Sequence, residues 1–151
     1  MAVQSIILAG PTQRQTAHDA INAAPDGALI KITEKGETRT AAQNRTLHMW
    51  FGEVARHQGD VDADDVKGMC HRRWGLTIRL RDDVFAWMWK HTGANLPYEK
   101  QCKYLASGAL NVSSAMNADE LSEYLDSMSR HFRSEGVRLT DPELRKYEAA
   151  Q

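Results

Sequence analysis

Residues 37–57, ETRTAAQNRTLHMWFGEVARH, constrain this chain more than any other stretch, because they hold one helical period with no proline to interrupt it. Leu47, Trp50, Phe51 and Val54 recur at i, i+3, i+4 and i+7, which sets them on one face of a helix. A fold must bury that face, so this reads as the central helix around which the rest packs. Thr40 is the expected N-cap, its hydroxyl accepting from free N–H groups of the next turn, with Ala41 and Ala42 following as strong helix formers. One turn back along the same face stand Gln43 and Asn44. An unpartnered buried amide costs about 1–3 kcal/mol, so both side chains are expected to be mostly buried and hydrogen-bonded to backbone.

On either side, punctuation divides the chain. Residues 3–8 form a β-branched apolar run stopped by Gly10-Pro11, and residues 28–33 form another, so both are expected to be strands. Between them Thr12 opens a helix with a stripe of small residues, which Pro25-Asp26-Gly27 ends; residues 34–37 make a polar turn. After the central helix, Asp62 is an N-cap and the acids behind it suit the positive end of a helix dipole. The same acids are also a candidate metal cluster, but no glycine follows at calcium-loop spacing.

Residues 67–81, KGMCHRRWGLTIRLR, contain five basic residues and one histidine without an acid. Leu76, Ile78 and Leu80 alternate with Thr77, Arg79 and Arg81, which predicts a third strand. Two readings stand. Either this is a solvated helix end and a strand with arginines on its outer face, or Lys67, Arg72, Arg73, Arg79 and Arg81 gather on phosphates. Trp74 either stacks on a base or fills the core. Residues 84–89 are apolar on almost every side, which points to burial in a homodimer. Pro97 begins a short helix to about Leu105. Asn117 and Glu120 form a reciprocal N-terminal box for a helix with the stripe Leu121, Tyr124, Leu125, Met128 and Phe132. Arg130, His131 and Arg133 collect at its far end, where they either complement the helix dipole or contact DNA. A last polar helix is expected from Thr140 onward.

Composition narrows the function classes. With 151 residues, 42% hydrophobic and 26% charged, the chain fits one domain over residues 1–151. Its formal net charge of −1 means that any attraction to nucleic acid is local. Two cysteines give no disulfide framework, and no apolar run approaches the ~18 residues of a membrane span. The N-terminal run has no basic region before it, so the expected compartment is the cytoplasm. A phosphate loop, Gly-x-Ser-x-Gly, His-Glu-x-x-His and paired Cys-x-x-Cys are all missing from the sequence, so the expectation is no catalytic residue, no metal and no cofactor. One alternative is a metal-dependent nuclease built from His48, His57 and the acids of residues 60–65. Another is a protein-interaction adaptor without DNA affinity.

The order Arg39-Thr40-Ala41-Ala42-Gln43-Asn44-Arg45, set after a strand-like IKIT, resembles the NinB family of phage recombination proteins, the lambda Orf type. Leu96-Pro97-Tyr98-Glu99, Val112-Ser113-Ser114-Ala115-Met116, Arg130-His131-Phe132 and Gly136-Val137-Arg138-Leu139-Thr140 extend the resemblance over most of the chain. It implies a dimer that binds single-stranded DNA and helps a recombinase load where single-strand-binding protein is in the way. Arg39, Gln43, Asn44 and Arg45 would then be a motif that holds the fold. The fold expected is α+β: a small sheet from the segments at residues 3, 28 and 76, covered by the central helix, with a helical C-terminal half.

Overall fold

The computed structural model describes residues 4–32 and 39–142. The chain divides into two units, residues 1–37 and 38–151. In the first, α1 (Pro11–Ala23) starts from an extended Gly10, with Pro11 at the first helical position, where its missing N–H costs nothing. Thr12 therefore lies inside the helix and does not cap it. No residue of α1 is buried, and Ile7, Leu29, Ile30 and Ile32 are exposed.

The second unit opens with α2 (Arg39–Gln58), α3 (Ala63–Cys70), a single π-turn (His71–Gly75) and α4 (Leu76–Arg79). It continues with α5 (Asp83–Thr92), α6 (Tyr98–Ala106) and α7 (Ala118–Ser134). The stripe of α2 is buried as its spacing requires: Leu47, Trp50, Phe51 and Val54 all enter the core. Because α2 begins at Arg39, Thr40 sits in its first turn rather than at its cap. Helix α2 packs on α3 and α7, and α3 packs on α6. Reciprocal boxes start two of these helices, Asp62 with Asp65 for α3 and Asn117 with Glu120 for α7. Asp82 caps α5 by accepting from the Phe85 N–H.

Among the described residues there is no strand, which corrects the expected α+β fold to a helical one. A β-branched run is only a propensity, and without a neighbouring strand to complete a ladder residues 4–9 and 28–32 form none. The failure at residues 76–81 has a different cause. Helical backbone already runs through α3, and extending a helix avoids the cost of nucleating one, so the chain carries on through the π-turn into α4. Gly75, read as a break, keeps right-handed helical angles (φ −62, ψ −45). Its lack of a side chain serves packing instead: a Cβ there would lie 2.7 Å from Val112 Cγ1 and 2.8 Å from Tyr124 Cε2.

Gly136 is the opposite case, with φ +83. It ends α7 in a Schellman motif: the Gly136 N–H donates to Arg133 O and the Val137 N–H to Phe132 O, while Val137 and Phe132 are both buried. The strap that follows buries Val137 and Leu139 and leaves Arg138 outside. Its next residue is clasped to α2 from both sides. Trp50 Nε1 donates to Thr140 O at 2.8 Å, and Glu53 Oε2 accepts from the Thr140 N–H at 2.9 Å. The polar helix expected beyond it, the turn at 34–37, and Val3 and Thr33 of the two expected strands lie outside the described residues.

Candidate nucleic-acid interface

The π-turn fans out three consecutive functional side chains. Arg72 turns toward α6, where its Nε donates to Gln101 Oε1 at 2.7 Å and its guanidinium lies 5.7 Å from the Tyr98 ring. Gln101 is itself buried and donates to Gly93 O and Ala94 O, so the oxygen that holds Arg72 is fixed from behind. Arg73 and Trp74 turn toward the last turns of α7. The Arg73 guanidinium covers the Trp74 ring at 4.8 Å, and its Nη1 lies 3.2 Å from His131 Nε2. Trp74 packs against His131 at 5.4 Å and edge-on to Phe132 at 5.8 Å between ring centroids. Glu135 Oε1 is 3.3 Å from the same His131 nitrogen, which accepts from Arg73 or donates to Glu135 but cannot do both.

These contacts join two segments that the sequence offered separately, the basic stretch and the end of the last helix. Trp74 is half-buried, so it both fills a gap and stays partly accessible. The remaining cations do not converge with it. Arg79 donates to Asn111 O and lies over the Phe85 ring at 4.9 Å. Arg81 forms a two-pronged pair with Glu123 at 2.6 and 2.8 Å. With no strand there, the shared outer face expected for Arg79 and Arg81 does not exist. Lys67 is half-buried, and its ammonium helps to depress the pKa values of His48 and His71. Arg130 donates to Asp126 O, and Arg133 reaches across to Leu139 O.

The motif on α2 turns out to be uneven. Gln43 donates from Nε2 to Ala118 O at 3.2 Å and Ser122 Oγ at 2.8 Å, and Arg39 donates to the same hydroxyl, so these two residues tie α2 to α7. Gln43 Oε1 and Asn44 Oδ1 are buried without a hydrogen-bond partner. The expected backbone bond is thus present for Gln43 and missing for Asn44. Arg45 is exposed.

Sequence reasoning missed a second group of cations. Beside the Thr140 clasp lies an open cleft of about 700 Å³ lined by Met49, Glu53, Arg56, His57, Val137 and Arg138 among others. Arg56 and His57 come from the last turn of α2, and Arg138 from the outward position of the strap. Nothing in the sequence pairs residues so far apart; only the Gly136 turn and the clasp bring them to one place.

Deeper in, His71 Nδ1 meets the Tyr124 hydroxyl at 2.7 Å. Burial, helped by the Lys67 ammonium, pushes the His71 pKa down to about 3, and burial raises Tyr124 well above its ordinary value. Cys70, also buried, is pushed up to about 12 and is no nucleophile. Among the described residues no three histidine, cysteine, aspartate or glutamate side chains lie where they could hold a metal ion. No helix among them is long and apolar enough to cross a membrane.

No protein-family model matches the chain, and no solved structure does. The chain is similar to the DNA-directed RNA polymerase subunit beta of two strains of Dehalococcoides mccartyi, 38% identical over 74 residues. The match covers 48% of this chain and spans only 5% of the length of those subunits.

Proposed function

We propose that the protein binds single-stranded DNA along the ridge of Arg73, Trp74 and His131, with Arg130 beside it. The resemblance to NinB proteins then makes it a recombination mediator of the bacterial cytoplasm, helping a recombinase to load where single-strand-binding protein obstructs it. The observation that carries the reading is the ridge: a guanidinium over an indole, with an imidazole in contact with both, built by two segments distant in sequence. A nucleobase can stack on such a surface only when its face is free, which favours single strands over duplex. Because the chain is nearly neutral, local cations must supply the attraction. The polymerase match covers too little of that subunit to bring its activity here.

The test is fluorescence anisotropy with an oligo-dT strand and a duplex of equal length, each titrated with salt. Arg73→Ala should flatten the single-strand log-log slope by about 0.7. Trp74→Ala should cost roughly 1–3 kcal/mol with little change in slope. Equal affinity for duplex, or two variants that bind as the parent does, would remove the reading.

A further inference from the structure

We propose that the cleft beside the Thr140 clasp is a second phosphodiester-binding segment, which grips the strand where it leaves the Arg73 ridge. This rests on the single-strand reading above and adds to it a site that the basic stretch does not contain. The argument begins with availability. Arg72, Arg79 and Arg81 are held by Gln101, Asn111 and Glu123, and Arg73 makes the His131 contact that builds the ridge. Arg56 and Arg138 make no hydrogen bond or ion pair with any described residue, so all their guanidinium donors are open to a ligand.

Position supports the same conclusion. Among the described residues lining the cleft the acid is Glu53, which already accepts from the Thr140 N–H, so its carboxylate is tied to the wall. His57 adds an imidazole, while Met49 and Val137 supply an apolar floor. Cations at the end of α2 also complement its dipole, but Arg138 belongs to no helix and has no such role. An open groove of this size suits a polymer that passes through better than an enclosed small molecule. The ridge and the cleft both lie at the C-terminal end of α7, with only the Gly136 turn between His131 and Arg138 in sequence.

The ligand class is the phosphate backbone, read without regard to base. Anisotropy with oligo-dT is measured for the parent, for Arg56→Ala with Arg138→Ala, and for Arg56→Lys with Arg138→Lys. The alanine pair should weaken binding about tenfold at low salt and reduce the slope by about 1.4, two contacts at 0.7 each. The lysine pair should keep most of the slope, because lysine retains the charge. Thermal melting of all three should match to within the small helix-dipole contribution of Arg56, since both arginines are exposed. An alanine pair with the parent's affinity and slope overturns the cleft while leaving the ridge intact. A weakened alanine pair beside an unaffected Arg73→Ala variant upholds the cleft and removes the ridge. A parent that binds no single strand at low salt overturns both.

Discussion

At the scale of single residues, His71 makes the most measurable difference to the molecule. Its folded pKa, near 3, lies below the ordinary value of about 6.5, so the unfolded chain takes up a proton that the folded chain refuses between these limits. Its contribution is complete above pH 6.5 and is lost as pH falls toward 3, by about 1 kcal/mol per pH unit. Urea unfolding from pH 7 to pH 4 measures this, and His71→Gln, which has no proton to gain, should show a shallower decline. The two amides of α2 separate by the same logic of partners. Gln43→Ala removes bonds to Ala118 and Ser122 and should cost about 1 kcal/mol, whereas Asn44→Ala deletes an oxygen with no partner and should leave stability unchanged or raised. A larger loss for Asn44 in chemical denaturation would contradict this. The sequence placed both amides on the inward face, since periodicity reports direction; it could not report which carbonyl lies opposite.

At the scale of elements, legibility followed how local each signal was. The stripe of α2, the cap at Asp62 and the box at Asn117 depend on neighbours within a few residues, and each appears where its spacing put it. The alternation at Leu76, Ile78 and Leu80 is equally local, yet its outcome was decided by the helix running into it. The π-turn has no signature in residue spacing at all, and both Arg72 and Arg73 lie in it. The end of α7 offers a direct test. Gly136→Ala forces a side chain into the left-handed region and should cost roughly 1–2 kcal/mol. Because the same turn aims Arg138, the variant should also bind single strands more weakly at temperatures where it remains folded. Unchanged melting would mean that the strap is held by the clasp alone.

At the scale of the whole molecule, apolar surface is distributed unevenly. Phe85 and Trp89 of α5 are in the core, but Val84 is 68% and Trp87 64% exposed, so only part of the segment expected at a subunit interface is available for one. A homodimer through this face is the expected outcome, measured by sedimentation velocity over a range of concentrations, with Trp87→Glu shifting the population to monomer. A parent that stays monomeric at every concentration would end that idea. The clasp at Thr140 has a consequence of another kind. It uses the amide and carbonyl of one residue and side chains of α2 at positions 50 and 53, so the wall of the cleft is anchored through backbone atoms that no side-chain change at Thr140 except to proline removes. That amide is consequently a gauge. Its hydrogen-exchange rate records each time the strap lifts, and slower exchange on adding a polyanion would register occupancy of the groove without any label on protein or ligand.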